Sequence, residues 1–169
     1  MKVLLIGGAP NTGKSNAVTM CANYLLNKNF KVIDCIDGNG KKIAIPKIAT
    51  RANPSTDFRA VLKGVDINKK PVTVVIMSAS DMVSTIDCNF DYLLNVEADI
   101  YISSIRDIGS ERDYLLSKFR LNVDNKMTFE FPLAKMSRKN DNWYAAKKWY
   151  DNAVQDMLKN ILRMKPFEI

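Results

Sequence analysis

The sequence predicts an α/β fold: three layers, with helices on both faces of a mainly parallel sheet of about five strands. Three observations carry that expectation. Short apolar runs alternate with segments of helical periodicity along the chain. The first run passes through a glycine-rich turn directly into a helical stripe. A chain of 169 residues, 47% hydrophobic and 25% charged, is long enough to bury one proper core and short for two. Residues 1–169 therefore read as one domain, without repeat, linker or low-complexity segment.

Lys2-Val3-Leu4-Leu5-Ile6 is the kind of apolar run that makes a strand buried on both faces. Ala17, Val18, Cys21, Ala22, Leu25 and Leu26 recur at helical spacing and predict a first helix, ended by Asn27-Lys28-Asn29. Phe30 to Asp37 reads as a second strand, closed by Gly38-Asn39-Gly40. Residues 41–52, basic with alternating apolar positions, fit a hairpin or a loop equally. Asn53-Pro54 resembles an N-cap with proline at the first helical position. Phe58, Val61, Leu62 and Val65 then form a helical stripe that closes near Gly64. Pro71 to Met77 is the clearest internal strand, and a helix is expected over about residues 85–98.

Asp99 to Arg106 reads as the fourth strand, and Ser110 to Asp113 as a capping box that starts a helix to about Phe119. Lys126 to Phe131 is a fifth strand, stopped by Pro132. Trp143, Ala146, Tyr150, Ala153, Val154, Met157, Leu158, Ile161 and Leu162 fit one face of a long last helix. Lys147, Lys148, Lys159 and Arg163 lie largely off that face, with its aromatics expected on the sheet.

The chain has no histidine, which removes histidine-based nucleophile pairs and histidine metal sites. Acid, base or metal chemistry must come from carboxylates, lysine, hydroxyls, tyrosine or the backbone. Cys21, Cys35 and Cys88 are far apart and form no metal set, so reduced, mostly buried thiols and a cytoplasmic location are expected. The first apolar run is far too short for a membrane span, and no membrane partner is expected. Net charge is +7, of which +5 lies in residues 118–169. That basic excess could meet nucleic acid, but a solvated lysine-rich helix face is the preferred reading.

Gly8-Ala9-Pro10-Asn11-Thr12-Gly13-Lys14-Ser15 satisfies G-x-x-x-x-G-K-[ST], with a strand before it and a helix after it. Gly8 and Gly13 permit a sharp turn that brings backbone N–H groups to phosphate oxygens. The helix start adds unpaired N–H groups and a positive dipole end. Lys14 offers a mobile cation to the β- and γ-phosphates, and Ser15 a hydroxyl ligand to Mg²⁺. In this motif and its setting the chain resembles the P-loop nucleoside triphosphatase and kinase superfamily. The resemblance covers about the first 30 residues directly and implies that fold, a nucleoside triphosphate on residues 8–15 and Asn16, and Mg²⁺.

In such sheets ligands lie beyond the carboxyl ends of the strands. Gly7 to Ser15, Asp34 to Asp37, Ser78 to Asp81, Arg106-Asp107 and Pro132 to Lys135 should therefore share one edge. The usual metal-holding carboxylate after an apolar strand is absent, because Ser78 follows Met77 and the next acid is Asp81. Asp81 is either a support for the metal or a cap for the next helix. The ending of the second strand resembles that of the ParA- and MinD-like partition ATPases. That resemblance makes Asp37, then Asp34, the acid that orients water or metal, although their signature lysine is replaced by Gly-Gly-Ala-Pro.

Residues 8–15 also resemble the P-loop of translational and ribosome-assembly GTPases, and Asp37 to Gly40 satisfies D-x-x-G. That match comes too soon after Ser15 for a switch region, and Asn125-Lys126-Met127-Thr128 lacks a guanine-reading Asp. ATP is therefore favoured over GTP. Arg106, with Arg112 behind it, is the candidate for neutralising transferred charge, unless either pairs with Glu111 or Asp113. Lys41, Lys42, Lys47 and Arg51, with Lys135, Arg138 and Lys139, could close over phosphates as a lid. The expected function is Mg²⁺-dependent ATP hydrolysis or phosphoryl transfer to an unknown acceptor. A non-hydrolysing module that contacts nucleic acid or a protein partner is the alternative.

Overall fold

Alternate residues of the first strand face opposite sides of a sheet, and this divides the core in two. Leu4 and Ile6 join the cluster that holds Val18, Leu25, Leu158 and Leu162, whereas Val3 and Leu5 join Ile86, Tyr101 and Leu115. The computed structural model describes residues 1–49, 56–121, 127–135 and 143–169, of which 143–146 by backbone alone. Its strands are β1 (Lys2–Gly8), β2 (Lys31–Asp37), β3 (Phe58–Val65), β4 (Pro71–Met77), β5 (Ile100–Arg106) and β6 (Met127–Pro132). Its helices are α1 (Lys14–Asn27), α2 (Val83–Leu94), α3 (Ser110–Lys118) and α4 (Trp143–Arg163). The cores place α1 and α4 on one face of the sheet and α2 and α3 on the other.

The α/β class is as expected, but the sheet has six strands and is mixed. Its order is β2-β3-β4-β5-β1-β6. The β4–β5, β5–β1 and β1–β6 pairs are parallel, whereas β3 is antiparallel to β2 and β4. The extra strand is the segment expected as a helix. Phe58, Val61, Leu62 and Val65 happen to fall at helical spacing, yet Ala60 and Leu62 pack on the α1 side and Val61 on the α2 side. A strand buried on both faces has no alternation to betray it. Val65, the supposed last turn of the stripe, is 51% exposed. β3 turns into β4 through residues 66–70, where the Asp66 carboxylate accepts the Asn68 and Lys70 N–H groups.

Other boundaries also moved. α2 stops at Leu94, where Val96 N–H bonds Leu93 O, short of the expected 98. α3 starts from Gly109 at φ 109° with no side-chain cap, so Ser110 to Asp113 is not a capping box. On α4, Val154, Leu158 and Leu162 are buried as expected, but Met157 and Trp149 face outward. Residues 41–49 form a loop with one bridge, Ile36 to Lys42, and pack Ile43, Ile45 and Ile48 against the α1 core. Arg51, Asn53-Pro54, Asn125-Lys126, Arg138, Lys139 and the side chains of Trp143 and Ala146 lie outside the described residues. No described helix is long and apolar enough to cross a membrane.

Cys21 and Cys35 are buried and Cys88 is exposed. Burial pushes the Cys21 thiol up to about 12 and the Cys35 thiol to about 11. A colorimetric thiol titration at pH 8 is expected to find Cys88 alone in the native chain and all three cysteines after unfolding. Rapid reaction of a second thiol in the native chain would contradict this packing.

Candidate functional site

Val3 to Ile6 of β1 have no exposed surface, and burial of such side chains stabilises by roughly 1.5–3 kcal/mol each. This rigid strand delivers the 8–15 loop to the sheet edge. Asn11 at φ 63° and Gly13 at φ 93° take left-handed conformations, which bend the loop back on itself. At Gly13 an added Cβ would meet nothing within 4 Å, so glycine is needed for its backbone and not for space. Gly8 differs, because a Cβ there would lie 2.5 Å from the Thr12 hydroxyl. Thr12 Oγ1 and Lys14 Nζ both donate to Ala9 O, at 2.8 and 3.1 Å.

The first bond into α1 is Ala17 N–H to Gly13 O at 2.9 Å. The N–H groups of Lys14, Ser15 and Asn16 therefore have no partner within the helix. No acidic side chain occupies the first turn to compete for them.

Around this helix start the structure gathers Lys14, Ser15, Asp81 and Arg106. Asp81 Oδ1 lies 3.9 Å from Lys14 Nζ and 3.3 Å from Arg106 Nε. Arg106 Nε is out of line for a hydrogen bond and remains a buried donor without an acceptor. Lys14 is 6% exposed, and desolvation pushes its pKa below the usual lysine value, with Asp81 pulling it back up and Arg106 pushing it further down. Asp81 precedes α2 by two residues, and Met82 is the N-cap with no side-chain cap bond. The Asp81 side chain is thus turned to two cations and does not cap α2.

Ser15 Oγ donates to Ser78 O at 3.2 Å, which ties α1 to the end of β4. Ser104 Oγ reaches the same carbonyl at 2.9 Å, and Ser80 Oγ donates to Ser104 O at 2.7 Å. This buried serine network was missed in the sequence. Its one signal was Ser103-Ser104 inside an otherwise apolar strand.

Asp37 is not brought to this cluster. Three strands separate β2 from β1, about 19 Å of sheet at ~4.8 Å per strand. Its carboxylate instead closes a turn by accepting Asn39 and Lys41 N–H, each at 2.9 Å. Asp34 pairs with Lys42 and accepts Tyr92 O–H at 2.9 Å, and the Lys42 bond holds its carboxyl below the usual range. Asn16 Oδ1 accepts the Ala49 N–H at 2.7 Å, anchoring the 41–49 loop on α1. Arg112 pairs neither with Glu111 nor with Asp113. It forms a two-pronged bond to Glu130 at 2.8 and 2.7 Å and also donates to Arg106 O. Glu130 Oε1 fills the space where a Gly7 Cβ would stand, 2.6 Å away.

A second group beside the cluster was also missed. Asp57, Arg59 and Asn89 meet next to Ser78, with Asp57 Oδ1 accepting Ser78 O–H at 3.3 Å. Among the described residues no three acidic or thiol side chains gather as a ready-made metal cage. No protein-family model matches the chain, and neither a curated protein nor a solved structure matches it.

Proposed function

We propose that the chain is a P-loop nucleoside triphosphate-binding protein that uses ATP, in preference to GTP, for Mg²⁺-dependent γ-phosphate hydrolysis or transfer. The observation that carries this reading is the convergence of Lys14, the orphaned Arg106 Nε and the open α1 amides at one sheet edge. Cations and backbone donors so placed neutralise phosphate oxygens without needing histidine.

In this mechanism the amides of residues 13–16 hold phosphate oxygens, and Lys14 releases Ala9 O to meet the β- and γ-phosphates. Arg106 turns its unpaired N–H to the transferred group. Asp81, once Lys14 and Arg106 turn to the phosphates, is left with a free carboxylate at the same sheet edge. Ser15 Oγ and the Asp81 carboxylate are hard oxygen donors that fit Mg²⁺, which is usually held by one or two carboxylates together with phosphate and water. Held by these residues, that ion would supply charge neutralisation to the phosphates.

Ser15→Ala should therefore lower turnover by roughly 100-fold, in proportion to the loss of one metal ligand and its positioning. Steady-state ADP release measured across a Mg²⁺ series checks this. An unchanged Mg²⁺ dependence would reject Ser15 as a ligand.

One observation favours a second reading, a nucleotide-binding module without turnover: β4 ends in Ser78 and offers no carboxylate there. ATP that binds and is never converted, with or without an acceptor, would select that reading.

A further inference from the structure

Beside Ser78, a cavity of about 20 Å³ is lined by Gly38, Asp57, Phe58, Arg59, Ala79 and Asn89. That is space for one or two waters, or for the head of a single oxyanion. The cavity opens at the same sheet edge as the 8–15 loop, because the start of antiparallel β3 lies beside the end of β4. Ser78 joins the two places. Its carbonyl accepts Ser15 O–H at 3.2 Å, and its hydroxyl donates to Asp57 at 3.3 Å.

The cavity wall is built and fixed. Asn89 is 1% exposed, and both ends of its amide are used. Its Nδ2 donates to Ala79 O at 2.7 Å, and its Oδ1 accepts Arg59 Nε–H at 2.6 Å. This clamp holds the Arg59 guanidinium by one nitrogen and leaves its two terminal nitrogens without a partner among the described residues. A fixed guanidinium fork with free ends suits an oxyanion. The Asp57 carboxylate beside it disfavours a second negative charge and suits a hydroxyl donor.

We propose that this cavity seats the oxyanion head of the phosphoryl acceptor, a small molecule that carries a hydroxyl group next to a carboxylate or phosphate. The inference rests on the nucleotide reading above and names the acceptor class for that site. Arg59 pairs with the oxyanion, and Asp57 accepts the hydroxyl proton as the hydroxyl oxygen bonds to the γ-phosphorus. The bond from that phosphorus to the β–γ bridging oxygen breaks, and its electron pair leaves on ADP. The products are the phosphorylated acceptor, ADP and one proton.

The full chain with Mg²⁺ and ATP is assayed for ADP and, by phosphorus NMR, for phosphorylated product. Glycerate, glycerol 3-phosphate and uncharged glycerol serve as probes. One of the two anions is expected to be phosphorylated and glycerol is not, and which anion succeeds tells carboxylate from phosphate. Arg59→Ala should raise the KM for that anion by about 10–100-fold, as expected for a lost charge-assisted pair, with Arg59→Lys intermediate. Asp57→Asn should lower kcat about 100-fold with little change in KM. Absence of product from both anions, or an unchanged KM in Arg59→Ala, would overturn the proposal. A calorimetric ATP titration of the same sample separates the failures. Bound ATP without product rejects the acceptor site alone, and absence of ATP binding rejects both readings.

Discussion

Lys14→Ala is expected to weaken ATP binding by about 100-fold or more, the scale of losing a partly desolvated ammonium–phosphate contact. Titration of both chains with a fluorescent ATP analogue checks it. The effect should be on binding and not on folding. Lys14 is buried, and its pKa is pushed below the unfolded value by desolvation. A lysine whose folded pKa is depressed costs stability wherever it is charged in both states, so near pH 7 its removal relieves a penalty. Thermal unfolding of Lys14→Ala should therefore occur at the same or a higher temperature. Full ATP affinity in this variant would reject the phosphate role proposed for the 8–15 loop.

Gly64→Ala is expected to destabilise the chain by about 1–3 kcal/mol through overpacking. An added Cβ would stand 2.5 Å from Phe30 Cγ and 2.6 Å from both Cδ atoms. Phe30 is 4% exposed and belongs to the α1 core, so its ring has little room to yield. The sign of this result is informative. In a helix interior the same substitution would stabilise by roughly 1 kcal/mol. A raised urea midpoint would thus return residues 58–65 to a helix, and a lowered one supports β3. The consequence reaches the site, because β3 carries Asp57 and Arg59 to the sheet edge and moves β2 outward.

Much of the candidate site's layout was legible because its determinants are local. Eight consecutive residues contain the turn glycines, the lysine and the serine that a phosphate loop needs, and a strand and a helix flank them. Asp81 and Arg106 were legible by a second rule, that strand ends converge on one edge, and they meet within 3.3 Å. Asp37 obeys the same rule and still lies far from Lys14. One misread segment accounts for it: with β3 inserted between β2 and β4, the second strand becomes the sheet's outer edge. Nothing local distinguished β3 from a helix, since its apolar residues serve both cores. Arg59 and Asn89 come from segments 30 residues apart and meet only through β3 pairing. A polar Asn89 that α2 buries was the sole trace of that contact.

Residues 8–15, with Lys14 and Arg106, are proposed to bind the phosphates of ATP. The most direct measurement is calorimetric titration of the unaltered chain with ATP, with Mg²⁺ present and with Mg²⁺ removed by chelation. Saturable binding of one ATP per chain that tightens when Mg²⁺ is present is the predicted result. No detectable binding in either condition would contradict that proposal.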